Sequence, residues 1–326
     1  MLMSIAAVVA GLALLVWSAD RFVEGAAAVA HQLGVSHLII GITVVGFGTS
    51  VPEILVSIMA VLDGIPDIAI GNALGSNIAN IGLIIGLTAL LVPVPVAAGL
   101  MRAEYPMLAV ATLVLVACLY DLQLSWFEGV ILVGLLVATM SLMIRMHRRA
   151  GDTGDEVDEI DETLSMGAAW GWVLVGLLVL VGSSRLLVWG ASNIALELGV
   201  SDLVVGLTIV AVGTSLPELA ASLASLKKSA PDLAVGNVIG SNLFNSLAVV
   251  GIPPMLGPFS VDAHVLSRDL PVMVGLTMAL FLMSSLPRAK IVYLTRLKGL
   301  ILLLAFVCYQ GYLYYEAAVE ISQAAG

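Results

Sequence analysis

Gly41-Ile-Thr-Val-Val-Gly-Phe-Gly-Thr-Ser-Val-Pro-Glu53 and Gly206-Leu-Thr-Ile-Val-Ala-Val-Gly-Thr-Ser-Leu-Pro-Glu218 are two copies of one polar motif set in otherwise apolar sequence. Each places a single glutamate in the hydrophobic middle of a predicted membrane span. A carboxylate at that depth is costly unless something compensates it, so by default it marks an ion or proton pathway. Its duplication points to a transporter.

The surrounding composition agrees. The 326 residues are 60% hydrophobic and 11% charged, with a mean hydropathy of +1.09, which excludes an ordinary soluble domain. Near-continuous apolar stretches predict an all-α polytopic membrane protein with ten spans, near 2–29, 36–61, 66–92, 102–119, 124–145, 167–195, 201–226, 231–255, 269–286 and 297–316. The net charge of −10 does not mark a partner surface, because seven acids cluster between Asp152 and Glu162. That run reads as a hydrated connector, and its spacing does not match a helix-loop-helix calcium loop. Cys118 and Cys308 both fall within spans, so no disulfide framework is implied. The N-terminus lacks the basic start of a secretory signal and reads as a retained first span.

Working outward from the motif, an offset of 165 residues aligns the two halves from Ser18/Ser183 to Pro106/Pro271. Between 41–86 and 206–251, 19 of 46 aligned positions are identical. The chain therefore divides into a first five-helix repeat (1–145, motif core 36–92), an acidic connector (146–166) and a second five-helix repeat (167–326, motif core 201–255). Five is odd, so matching helices must cross in opposite directions, giving two inverted-topology repeats. Loop charges agree: Lys227-Lys228 follow the second glutamate helix, where the first has Leu62-Asp63-Gly64. With the N-terminus outside, most Arg and Lys residues fall in inner loops, which predicts both termini outside and the connector in the cytoplasm.

The chemistry lies in four predicted helices. Pro52 cannot donate a backbone hydrogen bond and clashes with the carbonyl four residues earlier, so a kink is expected, freeing carbonyls around Gly46 to Thr49. Thr49 and Glu53 share a helix face, and Gly213, Thr214, Ser215, Pro217 and Glu218 repeat the arrangement. In the next span Asn72, Ser76 and Asn80 form a polar stripe, while Gly71 and Gly75 flatten the adjacent surface; Asn237, Ser241, Asn245, Gly236 and Gly240 are their partners. All these groups are hard oxygen donors, which suits Na⁺ or Ca²⁺ and disfavours Zn²⁺ or Cu²⁺. Two facing glutamates balance one Ca²⁺ or hold more than one Na⁺.

Other polar positions have structural readings. Ser57, Ser222, Asn77 and Asn242 serve helix packing as readily as transport, and Asn72 and Asn237 can do either. Asp20, Arg21, Glu24 and Arg185 read as charges near a membrane face, with Arg pairing its neighbours. Glu104 and Asp269 read as boundary residues at span ends. Trp126, Trp170, Trp172 and the Tyr312 to Tyr315 cluster read as interfacial anchors.

The paired motifs resemble the two alpha-repeats of the cation/Ca²⁺ exchanger superfamily, and the compact chain looks like its bacterial calcium/sodium antiporter branch. The resemblance implies an antiporter, not an enzyme, that exchanges Na⁺ for Ca²⁺ by alternating access. Normal Ca²⁺ efflux would be driven by inward Na⁺ across a bacterial or archaeal inner membrane. It implies that the first and sixth spans slide past a cation cluster built from spans two, three, seven and eight. Carried over by position, Glu53 and Glu218 resemble the shared ligands. Thr49, Thr214, Ser50 and Ser215, the carbonyls of Gly46 and Ala211, and Ser76, Ser241, Asn80 and Asn245 would complete the metal site. Ca²⁺ and Na⁺ are substrates, so no cofactor is implied; the partner is the lipid bilayer, with no nucleic acid or protein partner. Some members have aspartate where Asn245 stands, and asparagine is associated with exchange that does not need K⁺. The proton-coupled branch carries glutamate where this chain has Gly75 and Gly240, favouring Na⁺ over H⁺. A Ca²⁺/H⁺ or other divalent exchanger and a passive cation channel are the alternatives.

Overall fold

A chain with no water to bond must satisfy its backbone internally, which turns long apolar runs into helices. The computed structural model describes residues 1–97, 104–150, 164–198, 211–285 and 291–324. Helix α1 (Leu2–Leu33) has 32 residues and ends at Gly34, whose φ of 61° stops it in a left-handed cap. At 1.5 Å per residue it spans about 48 Å, more than a ~30 Å hydrocarbon core, so a helix of this length tilts in a bilayer. There follow α2 (His37–Leu62), α3 (Pro66–Leu91), α4 (Glu104–Leu119), α5 (Trp126–Ala150) and α6 (Met166–Glu197). The second half holds α7 (Ala211–Thr214 and Leu216–Lys227, interrupted at Ser215), α8 (Pro231–Met255), α9 (Val265–Ser284) and α10 (Arg296–Ala324).

Eight of these, α1, α2, α3, α5, α6, α8, α9 and α10, are long and apolar enough to cross a membrane. Helix α4 is apolar but has only 16 residues. Residues 201–210, which open the predicted 201–226 span, lie outside the described residues, as do 98–103 before α4 and the acidic run 152–162. The start of the expected connector is helical, since α5 continues to Ala150.

The two halves repeat each other in backbone detail. The α2–α3 turn has Gly64 at φ 78° and the α7–α8 turn has Ser229 at φ 55°, 165 residues later. Both turns are closed by the same pair of bonds, Gly64 N–H to Val61 O and Ile65 N–H to Ala60 O, then Ser229 N–H to Leu226 O and Ala230 N–H to Ser225 O. Wider π-helical stretches also recur, beginning at Asn80 in α3 (Asn80–Ile85) and at Asn245 in α8 (Asn245–Val249).

Helix α8 lies at the centre. Residues 233–251 are all buried and carry no charged residue, the pattern of a helix enclosed on every side. It packs backbone to backbone against α2, where a Cβ on Gly41 would stand 3.1 Å from the Gly236 Cα and one on Gly240 would stand 2.3 Å from the Ile42 carbonyl oxygen. Helices α1 and α6 run antiparallel to each other, with Gly11 on Leu187, Gly25 on Val173 and Gly176 on Phe22. Two short antiparallel ribbons tie the halves together. β1 (Val94–Ala97), after α3, pairs with β4 (Ile291–Leu294), between α9 and α10; β2 (Gln123–Leu124), between α4 and α5, pairs with β3 (Phe259–Ser260), after α8.

Candidate cation site

Glu53 and Glu218 sit where their helices meet at the core, and each is only 1% exposed. Both oxygens of Glu53 and Oε2 of Glu218 lack hydrogen-bond partners, although the two carboxylates are close enough to repel one another. The hydroxyls of Ser50 and Ser215 and the amide oxygens of Asn80 and Asn245 are likewise buried and unpartnered. Buried polar atoms are nearly always satisfied in folded proteins, so a concentration of bare oxygens on α2, α3, α7 and α8 calls for a ligand. No nitrogen base stands among them, and oxygen-only donors suit hard cations.

The hydroxyl of Thr49 is fully buried at the α2–α8 contact. Its Oγ1 lies 3.0 Å from Val45 O, 3.5 Å from Gly46 O, 3.2 Å from Asn237 Oδ1 and 3.3 Å from Ser241 Oγ. Ser241 Oγ also lies 3.4 Å from Gly46 O. Thr49, Ser241 and the Gly46 carbonyl are thus brought together across the two halves. Asn80 Nδ2 donates to Asn242 Oδ1 at 3.0 Å, which leaves the Asn80 oxygen free for the site. Ser76 is buried on α3. Thr214 is half-buried and already engaged, and Ala211 opens the described part of α7.

The expected kink at Pro52 falls within a helix that stays continuous there. Helix α2 continues through Pro52, because proline withdraws one donor and the flanking turns keep theirs; the backbone departs from α geometry earlier, in the π-helical Gly41–Val45. In the second copy the interruption falls at Ser215 (φ −92°, ψ 5°). Gly213 stands four residues before Pro217, so its carbonyl has lost its helical donor, and Ser184 Oγ of α6 supplies one at 2.9 Å. The position matching Ser184 is Ala19, which has no hydroxyl to offer Gly48. The freed carbonyl of the second half is therefore held by α6.

Other polar residues find partners that the sequence reading did not name. Asp269, near the start of α9, is only 6% exposed and receives Arg268 Nε and Tyr309 Oη, each at 2.7 Å, while Arg268 also pairs with Glu316. Glu104 is buried as well. Arg21 pairs with Glu24 at 2.8 Å as expected and lies over the Trp172 ring, but Asp20 and Glu24 also bind Lys227, the last residue of α7, and Lys228 just after it, at 2.7 and 3.4 Å. The two halves also diverge at Asn77, which donates to Ser246 Oγ at 2.8 Å, a hydroxyl standing where the first half has Ile81. Comparing residues across the 165-residue offset exposes both the Ser184/Ala19 and the Ser246/Ile81 differences; helical periodicity does not.

Apolar helices around two buried carboxylates, three of whose four oxygens lack a partner, define an all-helical polytopic membrane transporter. The chain belongs to the sodium/calcium exchanger protein family, whose model matches residues 3–145 and 168–315. CaxA of Alkalimonas amylolytica is 46% identical over 96% of this chain and 99% of its own length. The inner membrane protein YrbG of Escherichia coli is 39% identical, covering 84% of this chain and 86% of its own. A solved structure of the sodium-calcium exchanger NCX_Mj, soaked with 10 mM Na⁺ and 10 mM Sr²⁺, matches with a TM-score of 0.80 at 31% identity, over 94% of this chain and 97% of that one. Family and fold together make this protein an antiporter of cation/Ca²⁺ exchange and not an enzyme.

Proposed function

We propose that the protein exchanges Na⁺ for Ca²⁺ across a bacterial or archaeal inner membrane, normally expelling Ca²⁺ down the coupling of an inward Na⁺ gradient. The observation behind this reading is the pair of buried carboxylates Glu53 and Glu218, with both oxygens of Glu53 and Oε2 of Glu218 unpartnered, accompanied among the described residues by further buried, unpartnered oxygens. Two negative charges match one Ca²⁺ or a set of Na⁺ ions, so the two substrates compete for one place. Thr49, Thr214, Ser50, Ser215, Ser76, Ser241, Asn80, Asn245 and the carbonyls of Gly46 and Ala211 complete the proposed ligand set. Without a cation the two charges would remain uncompensated in low dielectric, which makes passage of the empty site costly and enforces exchange over leak.

The same reading takes the chain as ten spans in two inverted five-helix repeats, 1–145 and 167–326, joined by the cytoplasmic connector 146–166, with both termini outside. The matching turns at Gly64 and Ser229 and the reciprocal β1–β4 and β2–β3 ribbons support a two-fold relation between the halves. Helices α1 and α6, packed on each other and against Gly48 and Gly213, are the pair placed to slide over the site. Purified protein in liposomes loaded with Na⁺ should take up ⁴⁵Ca²⁺ when diluted into Na⁺-free buffer, with K⁺ dispensable. Uptake that follows a proton gradient and ignores Na⁺ overturns the coupling. Downhill Ca²⁺ flux with no counter-ion overturns exchange itself.

A further inference from the structure

Each glutamate is gripped from behind by an asparagine of the next helix. Asn72 Nδ2 lies 3.1 Å from the backbone oxygen of Glu53 and 3.0 Å from Ser57 Oγ. Asn237 Nδ2 lies 3.1 Å from the backbone oxygen of Glu218 and 3.1 Å from Ser222 Oγ. One amide thus spans a full helical turn and uses both of its hydrogens, fixing the segment that carries the carboxylate. Asn237 does more, because its remaining acceptor, Oδ1, lies 3.2 Å from Thr49 Oγ1 on α2, in the other half of the chain.

A hydroxyl that ligates a cation must turn a lone pair to the ion and send its one hydrogen elsewhere. Two of the acceptors near Thr49, the carbonyls of Val45 and Gly46, belong to the turn beside the proposed site, and Gly46 O is itself a proposed ligand. Ser241, also near, is another proposed ligand. Thr49 also hydrogen-bonds the Glu218 side chain, a proposed ligand as well. That leaves two acceptors outside the ligand set, Val45 O on the same helix at 3.0 Å and Asn237 Oδ1 at 3.2 Å, and Asn237 Oδ1 is the one that comes from the other half of the chain. Its amide orientation is fixed by the donor bonds to Glu218 and Ser222, so the oxygen is held facing Thr49 rather than free to flip.

Resting on the Na⁺/Ca²⁺ reading above, we propose that Asn237 is a positioning residue joining the two halves of the site: it orients the Thr49 hydroxyl for the cation through Oδ1 while anchoring the Glu218 backbone through Nδ2. Asn72 performs the anchoring part for Glu53. Neither touches the ion. Outer-shell partners of metal ligands typically cost about 10- to 100-fold in affinity when lost.

The test is a double-mutant cycle on equilibrium Ca²⁺ binding by the purified full-length protein, followed by calorimetry in Na⁺-free buffer, with ⁴⁵Ca²⁺ exchange as the second readout. Asn237→Ala should weaken Ca²⁺ binding about 10- to 100-fold and raise the KM for Ca²⁺ more than it lowers kcat. In a Thr49→Val background the same substitution should cost several-fold less, since the hydroxyl it orients has gone. Full additivity, or unchanged affinity with only a lower yield of folded protein, overturns the proposal and leaves Asn237 as packing. Should Asn237→Ala fail to fold, Ser222→Ala, which releases one amide hydrogen, decides: a few-fold weaker Ca²⁺ affinity supports the positioning role and wild-type affinity overturns it. Wild-type protein that binds no Ca²⁺ would instead refute the functional reading on which the proposal rests.

Discussion

Replacing one carboxylate by its amide keeps the shape of the site and removes one charge. Glu53→Gln or Glu218→Gln leaves a single negative charge facing a divalent ion in a desolvated core, a loss of about 3 kcal/mol or more. Exchange should fall by about 100-fold or more in either variant, while membrane insertion and elution as a single species persist. Near-normal Ca²⁺ transport by one of them, measured in the liposome assay, would remove that residue from the essential set. Asn245 offers the opposite experiment, because its Oδ1 is one of the buried oxygens without a partner. Asn245→Asp adds a third carboxylate and should change cation selectivity, most directly by introducing K⁺ sensitivity. Identical transport in Na⁺, K⁺ and proton gradients would show the position to be neutral. These residues were legible in sequence because a glutamate in an apolar run has no structural excuse. Asn72 and Asn237 were not, since an asparagine that grips a neighbouring backbone and one that ligates a cation look alike until the acceptor is seen.

At the scale of elements, the α2–α8 contact depends on missing side chains. A methyl at Gly240 would stand 2.3 Å from the Ile42 carbonyl and 2.8 Å from the Ile42 Cα, both backbone atoms that cannot rotate aside. Gly240→Ala should therefore cost at least the ~1–3 kcal/mol typical of overpacking and lower the thermal midpoint in detergent. Gly275→Ala, on an exposed face of α9 with no described atom within 4 Å, should leave the midpoint unchanged. Equal midpoints for the two variants would mean that α2 and α8 separate readily. Helix existence was readable from hydropathy, but the π-helical stretches at Gly41–Val45 and Asn80–Ile85 were not. Hydrogen-bond register within a helix answers to what presses on it from outside. For Asp269, hydropathy shows a position near a helix end but not the partners, Arg268 and Tyr309, that let it be buried there.

For the whole molecule, the 165-residue offset implied a duplicated unit before any coordinates, and its backbone echoes at Gly64 and Ser229 go beyond what matching letters require. Serine pays for a left-handed φ that glycine adopts freely, so its presence at 229 means that the turn geometry is demanded by the fold rather than by the residue. What duplication alone leaves open is the direction in which each copy crosses the membrane. The proposed five spans per repeat would put the two turns on opposite sides, and the charges beside them, Asp63 in one and Lys227-Lys228 in the other, fit the preference for positive residues in the cytoplasm. Position 63 should then face outside and position 229 the cytoplasm. In a background with Cys118 and Cys308 changed to alanine, Asp63→Cys should react with a membrane-impermeant maleimide in intact cells. Ser229→Cys should react only after permeabilisation. Labelling of both from the same side would exclude inversion of the repeats, and labelling with the sides exchanged would keep the inversion but place both termini in the cytoplasm.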